Sequence, residues 1–471
     1  MIHPTRVRRL NEAPEGQGRY VLYWMQASQR TRSNHALEHA VRRADALGLP
    51  LVVCFGLMDD YPEANARHYT FLLEGLADVA RNLAARGIAF VVRRGSPPDV
   101  ALHYAKGAAI IVCDVGYLRH QRRWRNAVAD GALVTVVEVE SDVVIPLDIV
   151  SEKQEYAART IRPRSRKHWA EYLKPLARRN PKRSALHLDV AGDIDVSDPA
   201  AALARLTVDR SVPPSPHFHG GEDRAAILLA DFCARRLPGY AAARSEPAAA
   251  HTSTLSAYLH FGQVSPLEIA LAILAAGAGG GASTEADRDA YLEELIVRRE
   301  LACNYVAHSP HYDAYAGLPE WARKTLSEHR NDPRPALYPL AALESAATAD
   351  PYWNAAQREM TLTGFMHNTM RMYWGKKILE WTPSPEEAFA RTLHLNNKYF
   401  LCGRDPNAYT NVAWIFGLHD RPWACRKVLG TIRYMAATGL ERKFDINAYV
   451  RRVDALATGE EKIDQPRKKH G

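Results

Sequence analysis

From Arg19 to about residue 150 the chain alternates short β-branched or aromatic runs with amphipathic stretches. The runs are RYVLYWM, LVVCFGL, IAFVVRR, AIIVCDV and LVTVVEVE, and the stretches between them, such as HALEHAVRRADALG and RHYTFLLEGLADVARNLAARG, repeat their apolar residues at a helical period. Strands separated by helices of this length pair in parallel only through crossover helices. The pattern therefore predicts an α/β N-terminal domain over residues 1–150, built on a doubly wound parallel sheet of five strands with four intervening helices. From Glu222 the helical period takes over, in EDRAAILLADFCARRL, PLEIALAILAAG, RDAYLEELIVRRELACNYV, AQREMTLTGFMHNTMRMYWGKKILEW and SPEEAFARTLHLN, and predicts an all-α C-terminal domain over 222–458. The basic, proline-punctuated stretch 151–221 reads as an interdomain linker crossing a surface. The segment AGAGGGAST (276–284) reads as a flexible loop, and 459–471 as a flexible tail.

Composition bounds the partners more than the fold. The chain has 471 residues, 47% hydrophobic and 24% charged, with a net charge of +8, too small an excess to identify an anionic partner. Between Arg159 and Arg183 ten basic residues face one acid, Glu171, which reads first as a solvated linker. Six cysteines form no CxxC pair or zinc-ribbon spacing, so reduced thiols in a cytoplasmic setting are expected, nucleoid-associated if the source is bacterial or archaeal. No apolar stretch is long enough to predict a membrane span, and a monomer is expected. The turn after the first strand, QASQRTRSNH, has no glycine, so an ordinary dinucleotide-binding turn is disfavoured. The HxxEH sequence at His35, Glu38 and His39 has the spacing of an inverted zincin, but no third ligand is evident. These are expected to be surface histidines, with Ser33 or Asn34 as the helix cap and no metal.

Candidate chemistry concentrates in the second half. Trp353, Trp374, Trp381, Trp414 and Trp423 accompany MHNTMRMYW, GRDPN and HDRPW. Trp374 and Trp381 are seven residues apart in a helical pattern, about 10.5 Å along the axis on nearly one face. Indoles so placed can exchange an electron, although tryptophans at helical spacing are more often core. Thr252-Ser253-Thr254-Leu255-Ser256, followed by YLHFG, offers hydroxyls and backbone N–H groups where a loop enters a helix, an anion site or a plain helix cap.

TSTLSAYLHFGQVSPLEIA, EELIVRRELACNYV, GFMHNTMRMYWGKKILEWTPSPEEA, GRDPNAY and HDRPW, in this order, resemble the photolyase/cryptochrome superfamily, and most closely its class II cyclobutane pyrimidine dimer photolyases. YWMQASQRTRSNHALEHA and KQEYAARTIRP agree, so the resemblance spans nearly the whole chain. It implies a helical domain holding FAD in a U-shaped conformation, and light-driven electron transfer from reduced FAD that splits the dimer before the electron returns. By resemblance Tyr240, Thr252, Ser253, Leu255 and Ser256 bind the FAD phosphates and ribityl region, and Arg298, Asn368, Arg371 and Asp405 face the cofactor. Asn396 stands near flavin N5, with Asn407 as its rival. Trp374, Trp353 and Trp381 become the inner, middle and outer members of a photoreduction relay. Trp414 stacks on the extruded dimer, Met372 packs against it, and Glu294 hydrogen-bonds a thymine carbonyl. Arg421, Trp423 and Arg433 border the DNA. The implied partner is UV-damaged DNA, double- or single-stranded. A second, antenna chromophore of deazaflavin or folate type is allowed in the N-terminal domain, without a readable signature.

The chain departs from the family pattern at Cys402, where an aspartate commonly pairs with the flavin-side arginine, at the short loop WIFGLHDRPW, and at Arg244-Ser245-Glu246-Pro247. Two rivals stay open on sequence. One is a flavin photosensor without repair activity, which the short C-terminal extension disfavours. The other is an α/β nucleotide-binding hydrolase with a helical accessory domain, which leaves the tryptophans unexplained.

Overall fold

The computed structural model describes residues 2–249, 251–276 and 283–460. Most of the glycine-rich loop expected at 276–284, and the tail from residue 461 onward, lie outside the described residues. Six strands form one sheet: β1 (Val7–Arg9), β2 (Tyr20–Trp24), β3 (Leu51–Leu57), β4 (Ala89–Arg94), β5 (Ala108–Asp114) and β6 (Val136–Val139), in the order β1-β6-β5-β2-β3-β4. β2 to β6 are the five expected strands and pair in parallel. Every residue of β2, β3, β5 and β6 is buried, as a parallel sheet with helices on both faces requires.

β1 was not expected. Val7-Arg8-Arg9 carries one apolar residue and no alternation, and it pairs antiparallel with β6 through contacts made outside its own sequence pattern. Arg8 Nε donates to Glu138 at 2.6 Å, and Arg6 Nη1 donates to the carbonyls of Glu140 and Val143 at 3.0 and 3.1 Å.

The helix His35–Leu47 begins at Asn34, whose side chain accepts the Leu37 N–H at 3.0 Å. The expectation of surface histidines fails here. His35 and Glu38 are buried because this face of the helix packs on the sheet, and only His39 is partly exposed. Glu38 is held by Arg86 at 2.7 Å, and burial beside Arg6, Arg30 and Arg42 pushes the His35 imidazole well below its usual range.

Residues 151–221 do more than cross a surface. Ile161 and Tyr172 insert into the helical domain's core, while Ile194 and Val196 join the core around the sheet. The Asp193 and Ile194 N–H groups both bond to Val92 O on β4, at 3.0 and 3.2 Å. The basic residues face outward while the apolar ones scattered among them pin the segment down.

Buried polar contacts join the two domains. Arg67 donates to the carbonyls of Met360, Thr361 and Tyr399, and Arg30 Nη1 donates to Asp142 at 2.7 Å and to Gly262 O at 2.9 Å. Gly262 sits at φ +66°, and a Cβ there would lie 1.8 Å from Ala27 O, so only glycine lets the helical domain approach the turn after β2. Glu300 accepts the Val144 N–H, and burial pushes its carboxyl up to about 8.

Candidate functional site

The helix Asn368–Trp381 runs through the middle of the C-terminal domain and is covered on both sides. It carries Arg371, Met372, Trp374 and Trp381. Trp374 is fully buried, and its Nε1 donates to Gln357 Oε1 at 2.8 Å. Trp353, from the neighbouring helix Pro351–Thr363, is also fully buried and donates from Nε1 to the Trp374 carbonyl at 3.0 Å. Its ring meets Trp381 edge-on, with centroids 5.6 Å apart and planes at 65°. Trp381 in turn meets the half-buried Tyr338 at 5.2 Å. Packing and hydrogen bonding thus connect all three indoles, and the second helix supplies the link that spacing along one helix could not show.

One turn before Trp374, Arg371 lies 3.8 Å above the Phe400 ring and donates to Cys402 Sγ at 3.4 Å. Among the described residues no carboxylate forms an ion pair with it. Asp405, the N-cap of the helix Pro406–Ile415, accepts the Ala408 N–H at 2.6 Å. Burial pushes the Asp405 carboxyl up to about 6, against the opposing pull of Arg299, Arg371 and Arg404. The preceding Gly403 permits this turn, since a Cβ would lie 2.8 Å from Asn396 O. Among the described residues, buried Nε atoms of Arg299, Arg371 and Arg404, and Thr410 Oγ1, have no partner. A cluster of buried donors around a buried acid suits a polar or anionic ligand.

The hydroxyl segment is braced from below. Tyr291 OH bonds to Ser253 Oγ at 2.9 Å, Arg236 Nη1 donates to Thr252 O at 2.9 Å, and Thr254 takes a left-handed φ of +58°. Tyr240 packs against Phe232 and Tyr291 at 5.7 and 5.3 Å. Leu255 is buried, whereas Ser256 is exposed. Glu294 lies in a π-helical turn, Glu293–Arg298, where the sequence predicts a regular helix. Its carboxylate accepts from Arg244 Nη1 at 2.7 Å and forms an ion pair with Arg298 Nε at 3.1 Å. Arg298 is therefore an exposed partner of Glu294, and the adjacent Arg299, which the motifs did not single out, lines the central cavity. Asn368 is exposed at the start of its helix. Asn396 is buried and donates to Asn397 Oδ1 at 3.0 Å, and Asn407 is partly buried in the first turn of Pro406–Ile415.

Met372 is buried in a cluster with Tyr409, Val412 and Ile415, and Trp414 packs on that cluster while staying partly exposed. Beyond it, Arg421 and Arg433 hold their guanidinium carbons 5.2 and 5.0 Å from the centroid of the exposed Trp423 ring. The three residues expected at a DNA border form one cationic, aromatic surface.

A cleft opens between the domains. Phe55 to Leu57 and Val115 to Leu118 line it where β3 and β5 end, and Leu259 to Phe261, Arg299, Cys303 and Arg404 to Pro406 close it from the helical side. β3 and β5 flank β2, the point where the strand order reverses, and open α/β sheets bind ligands there. No local motif marks this pocket, because its lining comes from widely separated places along the chain.

Residues 21–182 match the DNA photolyase family model. Over 457 residues the chain is 47% identical to a deoxyribodipyrimidine photo-lyase of Methanothermobacter thermautotrophicus, covering 97% of this chain and 99% of the relative. The chain belongs to the DNA photolyase family. A relative from Arabidopsis thaliana with the same name is 39% identical over 93% of this chain and 89% of its own. The photolyase fold recurs in a class III photolyase from Agrobacterium tumefaciens (TM-score 0.71, 20% identity, 94% of this chain and 88% of that one) and in a Synechocystis cryptochrome (TM-score 0.69, 16% identity, 93% and 90%). Among the described residues no helix is long and apolar enough to cross a membrane.

Proposed function

We propose that this photolyase is a class II enzyme that uses light and bound FAD to reverse cyclobutane pyrimidine dimers in DNA. The observation that carries the reading is the connected indole set, Trp374, Trp353 and Trp381, running from beside Arg371 to the half-buried Tyr338. High identity to photo-lyases along the full length supports the activity, and the motif resemblance supports the class.

The residues present fit FAD. Arg371 and Asp405, with Arg299 beside them, offer charge and unsatisfied donors, and Thr252 to Ser256 offer hydroxyls braced by Tyr291 and Arg236. Bound and reduced, FAD would supply the electron that light transfers to the dimer. The chain's own part is to bind, orient and shield. Arg371, which has no carboxylate ion pair among the described residues, favours an anionic ligand beside it. Trp414 offers a flat face to an extruded pyrimidine pair, and Met372 backs that wall. Two guanidinium groups meet Glu294 at Oε1, and an ionised carboxylate only accepts. A hydrogen bond to a thymine carbonyl therefore requires a proton on Glu294 or comes from Arg244 and Arg298. Arg421, Trp423 and Arg433 grip phosphates without reading sequence. A second chromophore, where one is bound, would occupy the part of the interdomain cavity at the ends of β3 and β5.

An absorption spectrum of purified protein, followed by an illuminated repair assay on dimer-containing DNA, tests the proposal. Flavin and light-dependent loss of dimers are expected. Bound flavin without repair would make the protein a photosensor, and a folded protein that neither contains nor takes up flavin would remove the reading.

A further inference from the structure

The loop that carries Arg421, Trp423 and Arg433 also carries Cys425, the exposed member of the six cysteines. Cys54, Cys113, Cys303 and Cys402 are buried, and Cys233 is half-buried. Cys425 Sγ lies 3.2 Å from His329 Nε2, and His329 Nδ1 lies 2.7 Å from Asp332 Oδ2. A thiol, an imidazole and a carboxylate thus stand in line, across 96 residues of sequence.

The rest of the loop holds this arrangement in place. His329 follows the helix Glu320–Glu328, and Asp332 turns back to it. The same Asp332 oxygen accepts the Val428 N–H at 2.8 Å, and the Thr431 N–H reaches Thr325 Oγ1 at 2.9 Å. Gly430, at φ +54°, passes so close that a Cβ would lie 2.8 Å from His329 Cδ2. The hydrogen bonds from Val428 and His329 hold the Asp332 carboxyl below its usual range, so it is an ionised acceptor. An ionised carboxylate at Nδ1 fixes the imidazole proton there, which leaves the Nε2 lone pair facing the sulfur. The S–H donates to Nε2, and transfer of its proton gives a thiolate beside an imidazolium that Asp332 stabilises.

We propose that Cys425 is an activated thiol, a covalent-modification site for peroxides and other soft electrophiles, through which oxidation loosens the DNA-facing loop. With a peroxide, the thiolate attacks one oxygen, the S–O bond forms and the O–O bond breaks. Sulfur loses two electrons to the peroxide, and the proton held on His329 passes to the departing hydroxide to give water, leaving a sulfenic acid. The S–H···Nε2 contact at the base of the loop is then lost. The coupling to DNA rests on the reading of this loop as the DNA border, whereas the activation of the thiol does not.

The thiol is tested first, on FAD-loaded protein with oxidised flavin, in the dark. Iodoacetamide labelling at each cysteine is followed by peptide mass spectrometry at pH 6.5. Cys425 is expected to react about tenfold or more faster than in the denatured chain, and His329→Gln should remove that advantage while Asp332→Asn reduces it. Equal rates in the folded parent, in His329→Gln and in the denatured chain overturn the proposal, because exposure alone then explains the labelling. Comparison with the denatured parent decides even if His329→Gln disturbs the loop. Peroxide treatment, with dimedone trapping to confirm Cys425 oxidation, should then weaken binding of dimer-containing duplex. Dithiothreitol should restore binding, and Cys425→Ser should not respond to peroxide. Unchanged binding by protein fully oxidised at Cys425 overturns the coupling to the loop, without touching the assignment of photolyase activity.

Discussion

Replacing Trp374 by Phe separates the indole's structural role from its proposed role in the relay. The side chain is fully buried, and its Nε1 makes one hydrogen bond, to Gln357 Oε1. Phenylalanine leaves that buried amide oxygen without its donor, at a cost of about 1–3 kcal/mol. The smaller ring leaves part of the indole's space unfilled, for a further 1–2 kcal/mol or so. A loss of roughly 2–5 kcal/mol is expected, and Gln357→Leu in the same chain should recover the hydrogen-bonding part of it. Denaturant unfolding of the parent, both single variants and the double variant reads this as a coupling energy. In the same preparations, Trp374→Phe should abolish photoreduction of oxidised flavin while enzyme reduced chemically beforehand still repairs dimers. Loss of repair by pre-reduced Trp374→Phe, with flavin content and DNA binding unchanged, would refute the separation of roles. A stability equal to the parent's would refute the packing argument.

Trp414→Ala should weaken binding of damaged DNA by about 1–3 kcal/mol, the worth of one base–aromatic stack, with a smaller effect on undamaged DNA in competition assays. Equal losses on both would assign Trp414 to the scaffold. Cys402→Asp places a carboxylate where Arg371 now meets a thiol, so it should compensate the guanidinium and lower the reduction potential of bound flavin; unchanged potentials in a folded variant would show that position 402 does not tune it. Lys376 is buried, donates to the Ile415 carbonyl, and is pushed down to about 7 from 10.5 by burial. The folded state then binds fewer protons than the unfolded one between about pH 7 and 10.5, so stability should rise across that window and level off above it. At about 1.4 kcal/mol per pH unit the full rise is roughly 4–5 kcal/mol. Lys376→Met should flatten the profile and be the more stable protein at pH 7, as denaturation midpoints at several pH values would show.

Local pattern was enough wherever one stretch of chain makes its own structure. The five parallel strands, their crossover helices and the change to a helical period at Glu222 all follow from residues close in sequence, because an amphipathic face is a local property. The long motifs around Trp374, Gly403-Arg404-Asp405 and Glu294 were legible through their resemblance to the photolyase family. Where a residue's environment is set by distant partners, the pattern failed. Strand β1 exists because Arg6 and Arg8 find acceptors some 130 positions away, and His35 is buried because the sheet covers a face that its own helix leaves open. Arg299 lines the interdomain cavity while the neighbouring Arg298 pairs with Glu294, because one step along a helix turns a side chain through about 100°. The pairing of Trp353 with Trp381, the meeting of Arg371 with Cys402, the interdomain cavity and the Cys425–His329–Asp332 line are likewise contacts between separate segments. Sequence determined which elements form and which residue types are at hand. Only tertiary packing decided which of them meet, because burial and hydrogen bonding depend on the neighbours that folding brings together.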